Sequence, residues 1–462
     1  MIRIKSDFDR TEFESVNPDK PTPLYTYYYS ILNIFKSNYK DHINNQTITI
    51  INDDFEFVFL QTNTNKSYRI SFKKLLTGTR EEVLAVDGIK EYMDICRMHY
   101  CCSYFSKSIY EFMQALYCIF PEDIKYKNKG CGEEEYYINI NGVEEKLSIK
   151  YKKKHSTTNK KAIYCYINNK LLMYMQTPEE IISAKETKDV VNIVNGIFDK
   201  VCSLLETNIK KNGNNLKFIS YEDMDDDIRH QLIDSLNIKT CPYCNRQYIT
   251  SWGGEKTTAE LDHYYQKALF PLFSLSSFNF IPSCHVCNSL MKGGKYKETL
   301  YPYAYAADEY IKFEITLKAN QKQKNIVDIW LGKGKRSMID INNIYKLEIV
   351  NLCNNEVVKK LINNEIELFR LRELYANHLD QAINVLLIMR IYLEENFYAN
   401  NINSICKKIG IKTFEKGFSF TKEEIRCFLL GLVNDGQGEV DKPLAKMISD
   451  IYYSELKNIL KS

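Results

Sequence analysis

The sequence predicts a multidomain α+β protein with a small cysteine-clipped finger at its centre and a mainly helical C-terminal domain. Three observations carry that expectation. The first two hundred residues mix amphipathic helical stretches with β-prone runs. Two Cys-x-x-Cys clips, CPYC at 241–244 and CHVC at 284–287, stand about forty residues apart. Beyond residue 300 the apolar residues fall at a spacing near 3.6.

Composition sets the bounds. A chain of 462 residues, at roughly 150 residues per domain, suggests two to four domains. Hydrophobic residues make up 44% and aromatics 13%, enough material for packed cores, which excludes a mostly disordered chain. No run approaches the roughly 18 apolar residues a membrane span needs. The opening MIRIKSDFDRTEFES has no apolar core of a secretion signal, so a cytoplasmic protein with no membrane partner is expected. Net charge is only +3, from 62 basic and 59 acidic residues, so any nucleic-acid contact must come from local patches. Three such patches stand out: KLSIKYKKKHSTTNKK at 146–161, KGGKYK at 292–297 and GKGKR at 332–336.

In chain order, residues 1–206 read as an α+β domain. An aromatic-faced helix is expected over 22–40, strands over 46–60 and 67–75, and one or two helices over 86–119. Strands return at 135–140, 146–151, 161–167 and 170–176. A long helix follows from Pro178 to about Glu206, with acidic residues in its first turn. Polar residues 207–225 suit a linker, and Asp223, Asp225, Asp226 and Asp227 suit the N-terminus of the short helix after it. The central domain spans 226–300. The C-terminal domain, 301–462, opens with a hairpin of IKFEITL and IVDIWL and continues with helices over 355–376, 378–396, 421–434 and 440–460.

The central domain carries the chemistry. The chain has 14 cysteines, most of them single residues in apolar runs that read as small buried hydrophobes. Cys241, Cys244, Cys284 and Cys287 differ: two Cys-x-x-Cys clips are the ligand set of a closed, tetrahedral structural zinc site. Between the clips lies ELDHYY, residues 260–265, whose alternation reads as a strand with Asp262 and His263 on opposite faces. Then come SFNFIPSC, which contains Asn279, and CNSLMKGG, a short helix ended by Gly293 and Gly294.

Together CPYC, ELDHYY, SFNFIPSC and CHVCNSLMKGG resemble the HNH nuclease superfamily, whose active unit is a ββα-metal finger braced by a four-cysteine zinc site. The likeness covers 241–295 and implies a phosphodiester hydrolase acting on nucleic acid, with double-stranded DNA as the expected substrate. It implies His263 as general base and Asn279 as the polar residue that holds the loop and orients the histidine. Asp262 and Asn288 are implied as ligands of a catalytic Mg²⁺ or Mn²⁺, hard ions that suit carboxylate and amide oxygens. Lys267, Lys292 and Lys295 are the expected phosphate contacts. Relatives often carry Pro where this chain has Gln266. Longer bacterial HNH proteins of this style resemble effectors of anti-phage defence that work beside an ATPase. The chain has no Gly-x-x-x-x-Gly-Lys-Ser/Thr loop of its own, so an ATPase would be a partner protein. The competing reading is a zinc-stabilised nucleic-acid-binding or partner-binding module without catalysis.

Overall fold

The structure is a computed structural model. It describes residues 22–38, 49–51, 54–105, 107–128, 133–150, 160–177, 179–205, 224–252, 256–305, 307–319, 343–393 and 442–459, with residues 4, 210, 211, 214, 215 and 221. The architecture is α+β: helices packed around several small antiparallel sheets.

Helix α1 (Pro23–Asn38) buries Leu24, Tyr27, Tyr28, Ile31 and Leu32, the i, i+3, i+4, i+7, i+8 stripe that a single buried helix face requires. An antiparallel meander follows in the order β1 (Thr49–Ile51), β2 (Asp54–Gln61), β3 (Ser67–Ser71). The strand expected over 67–75 stops at Ser71, because the Ser71 side chain accepts from Lys74 N–H and caps helix α2 (Phe72–Thr77). After α3 (Arg80–Leu84), the 86–119 region forms two helices, α4 (Ile89–Phe105) and α5 (Ile109–Ile119). A second meander pairs β4 (Ile124–Asn128), β5 (Glu133–Ile140) and β6 (Val143–Lys150). Asn141 and Gly142, at φ 52° and 83°, close the β5–β6 turn, as a two-residue hairpin of primed type demands.

Two expectations fail here. Residues 161–167 and 170–176 are not strands: α6 runs Lys160–Leu171, with Ile163, Tyr164, Ile167 and Leu171 buried at helical spacing. The helix expected from Pro178 begins only at Thr187, as α7 (Thr187–Leu205), and residues 179–183 are turns. Helix α8 (Asp226–Ser235) sits where the amphipathic pattern put it, with Asp226 and Asp227 in its first turn.

In the C-terminal segment β9 (Ile311–Leu317) pairs with β10 (Tyr345–Asn351); the strand expected over 326–331 lies outside the described residues. Helices α9 (Glu356–Leu368), α10 (Leu371–Ala376), α11 (Leu379–Leu393) and α12 (Ala445–Ile459) follow. The helix expected over 421–434 and the basic stretches 151–159 and 332–336 also lie outside the described residues.

One cluster of buried side chains runs through all three segments. Polar ties cross it as well. The Arg97 guanidinium sits 2.7 Å from Glu298, and the Arg80 Nη2 donates to Tyr265 Oη at 2.9 Å. The central finger is thus clamped on one side by α3 and α4. Among the described residues no helix is long and apolar enough to cross a membrane.

Candidate catalytic finger and thiol cluster

The finger is a strand, a loop, a strand and a short helix. β7 (Glu260–His263) pairs antiparallel with β8 (Phe280–Ser283), matching Asp262 with Ile281 and His263 with Phe280. The finger helix (Val286–Lys292) follows at once. It widens to a π-type turn, in which Gly293 N–H reaches back to Asn288 C=O. Gly293 ends it at φ 45°, a conformation that suits glycine.

The four clip cysteines are buried, and their sulfurs all lie within 4.8 Å of one another. Two tetrahedral ligands about 2.3 Å from a zinc ion stand about 3.8 Å apart, and the Cys244 and Cys284 sulfurs are 3.9 Å apart. The cluster can therefore hold a metal ion. Hydrogen bonds from Cys241 and the other two thiols push Cys244 strongly toward its thiolate, the form that binds metal. The C-terminal helices support the clip from behind: Tyr375 Oη donates to Cys244 C=O at 2.6 Å, and Tyr243 stacks on Phe369 at 4.3 Å.

His263 is partly buried against the edges of Tyr221 and Phe280, at 4.7 and 5.5 Å. Its Nε2 lies 2.8 Å from Ser274 C=O. A carbonyl only accepts, so Nε2 carries the proton and Nδ1 keeps its lone pair. Burial pushes the imidazole down to about 4, which keeps it neutral at ordinary pH.

Asn279 is fully buried and uses both ends of its amide. Its Oδ1 accepts from Tyr265 N–H at 2.6 Å, and its Nδ2 donates to Tyr265 C=O at 2.9 Å and Phe273 C=O at 2.8 Å. Phe273 precedes Ser274, so the amide fixes the loop whose carbonyl holds the His263 ring. Gln266, three residues after His263, donates to Gly293 C=O at 3.1 Å and Lys295 C=O at 2.5 Å, tying the loop to the end of the finger helix.

Asp262 and Asn288 are engaged elsewhere. Asp262 is buried, and its Oδ2 accepts from Tyr243 Oη and Lys292 Nζ, each at 2.6 Å. Lys292, expected on a phosphate, is itself buried; its ammonium also donates to His263 C=O at 2.5 Å. Burial pulls it below the ordinary lysine value even with Asp262 beside it. Asn288 Nδ2 donates to Glu260 Oε2 at 2.9 Å. Ser289 Oγ meets the same oxygen at 2.8 Å, and His285 Nδ1 meets Oε1 at 2.5 Å. Burial would raise the Glu260 carboxyl, but the hydrogen bonds from His285, Ser289 and Asn288 outweigh it and hold the group below its usual range.

Glu260 and Asp262, two residues apart, share one face of β7, and Asn288 and Lys292 of the finger helix meet them rung by rung. Asp262 and Asn288 are bonded to different partners, and the positive charge facing Asp262 is the Lys292 ammonium. This arrangement does not fit a divalent cation shared by that pair. Lys267 and Lys295 are on the surface, with Lys267 Nζ 5.0 Å from the Tyr221 ring centre. Glu260 is the participant the sequence reading missed. Its signal was the i, i+2 spacing to Asp262 on the face toward the helix.

No protein family, curated protein or solved structure matches this chain.

Proposed function

We propose that the finger hydrolyses phosphodiester bonds of nucleic acid, double-stranded DNA first, with His263 as general base and a structural zinc ion on the four thiolates. One observation carries this reading: a neutral imidazole whose Nε2–H is anchored on a loop carbonyl, which leaves Nδ1 as the acceptor. Such a nitrogen takes a proton from water, the hydroxide oxygen bonds to phosphorus, and the P–O bond to the departing sugar oxygen breaks as that oxygen gains a proton from solvent. Asn279 positions the ring through the loop, and the thiol cluster holds the hairpin against the finger helix. Lys267 and Lys295, both on the surface, are suited to backbone phosphates. No step is assigned to a divalent ion at Asp262 and Asn288.

A second reading has its own support. The Asp262–Lys292 pair neutralises the carboxylate internally, as a scaffold would, which favours a zinc-stabilised binding module without catalysis. Plasmid cleavage decides between them. Wild type and His263→Ala are incubated with supercoiled DNA and Mg²⁺ or Mn²⁺, and zinc content is measured on both. Nicking by wild type alone, at equal zinc content, supports hydrolysis. DNA binding by both with cleavage by neither supports the module. A defence role beside a partner ATPase is part of the proposal and predicts that adding such a partner changes the cleavage rate.

A further inference from the structure

Two adjoining clefts lie between α5 and α9 and share Gln114, Cys118, Lys297 and Glu367. One, of about 330 Å³, is lined by Tyr117, Tyr126, Tyr136, Lys297 and Lys360 among others. The other, of about 450 Å³, is lined by Tyr100, Tyr104, Lys295 and Tyr296 among others.

Lys360 makes the inner cleft unusual. It is 6% exposed, yet no carboxylate lies within ion-pair distance among the described residues. Its Nζ donates to Ile124 C=O at 2.9 Å and sits 3.4 Å from the centre of the Tyr117 ring. Two neighbouring carboxylates are engaged by other partners: Glu367 pairs with Lys297 at 2.6 Å, and Asp123, whose charge still reaches Lys360, pairs with Lys170 at 3.0 Å and accepts from Tyr166 at 2.8 Å. Buried lysines are normally paired, because an uncompensated ammonium is costly away from water. Burial accordingly pulls this amine down to about 7. An amine kept at such a cost on a cavity wall is a site waiting for an anion. The rest of the wall is aromatic, with Tyr117–Tyr126 and Tyr126–Tyr136 ring centres 5.4 and 5.3 Å apart. These rings are tilted to one another at 51° and 47°, and an aromatic wall of this kind favours a planar ring over an aliphatic chain.

We infer that these clefts bind an anionic ligand with a planar aromatic ring, of mononucleotide size, its anion against Lys360 and its ring on the tyrosines. The volumes fall in the range of small-ligand pockets. The inference does not rest on the nuclease reading, and its test does not use cleavage.

The test is calorimetric titration of the full chain with AMP, GMP, CMP, UMP, adenosine and inorganic phosphate. At least one nucleoside monophosphate is expected to bind at least about tenfold tighter than adenosine or phosphate, because the anion and the ring each contribute. Lys360→Met should weaken that binding at least about tenfold at unchanged zinc content and circular dichroism. A second readout uses wild type alone: the bound nucleotide should protect Lys360 from an amine-acylating reagent, as read by peptide mass spectrometry. Three results would overturn the inference. They are no binding of any monophosphate at millimolar concentration, phosphate binding as tightly as the nucleotides, or nucleotide binding that leaves Lys360 acylation unchanged.

Discussion

Replacing Lys292 with Met tests the central geometric claim, that the finger helix and β7 are locked by an internal ion pair. Both side chains of the pair are 5% exposed, and the contact is 2.6 Å. Removing one partner of a buried pair leaves an uncompensated charge and costs roughly 3–5 kcal/mol. Lys292→Met strands the Asp262 carboxylate on Tyr243 Oη alone and also deprives His263 C=O of its donor. Asp262→Asn strands the ammonium in the same way. The double variant removes both charges, so it should recover much of the loss and lie within about 2 kcal/mol of wild type. The coupling in the cycle should therefore reach at least about 4 kcal/mol. Urea unfolding of the four proteins in zinc-containing buffer, followed by tyrosine fluorescence and circular dichroism, gives the numbers. Additive single effects, with coupling under about 0.5 kcal/mol, would show that the two groups do not meet and would undo the rung-by-rung match of helix to strand.

Three further outcomes follow from the same site. Chelation of the bound metal, or Cys244→Ser, should unfold the finger and lower the melting temperature of the whole chain, with stoichiometric zinc released to a colorimetric indicator, because metal binding by a buried thiolate set is coupled to folding. His263 sits at about 4 in the folded chain against an ordinary value near 6.5. As pH falls, the unfolded chain takes up the proton first, so stability is full above about 6.5 and declines toward 4, by about 3 kcal/mol at most. His263→Gln should flatten that part of a stability–pH curve, and equal slopes in both proteins would contradict the burial argument. Asn279→Ala leaves Tyr265 N–H and C=O and Phe273 C=O without their partner, which should cost about 3 kcal/mol in urea unfolding, and DNA nicking should fall with it.

The thiol cluster was legible from sequence because each clip is a local constraint. Two cysteines three residues apart reach one point wherever the chain goes, and only the meeting of the two clips needed the fold. Asn279 and His263 were legible in type and order, since a strand, a loop and a second strand bring them together over sixteen residues. Helix α1 was legible because its buried stripe belongs to that helix alone.

Other features depended on what packs where. KAIYCYI alternates as a strand would, yet becomes part of α6, because Ile163, Ile167 and Leu171 bury together only as a helix. The partner of β9 begins about twenty residues beyond the first β-prone run, a long-range pairing that local propensity does not specify. The pairing of Asn288 with Glu260 and of Lys292 with Asp262 depends on how the finger helix is turned and placed against β7, which no spacing within either element specifies. The placing of the Lys360 amine, without an ion-pair partner among the described residues, depends on α5, α9 and β4 meeting. Residue types and local spacing are written along the chain; burial and charge balance are properties of the space between segments far apart in sequence, and only the tertiary structure sets them.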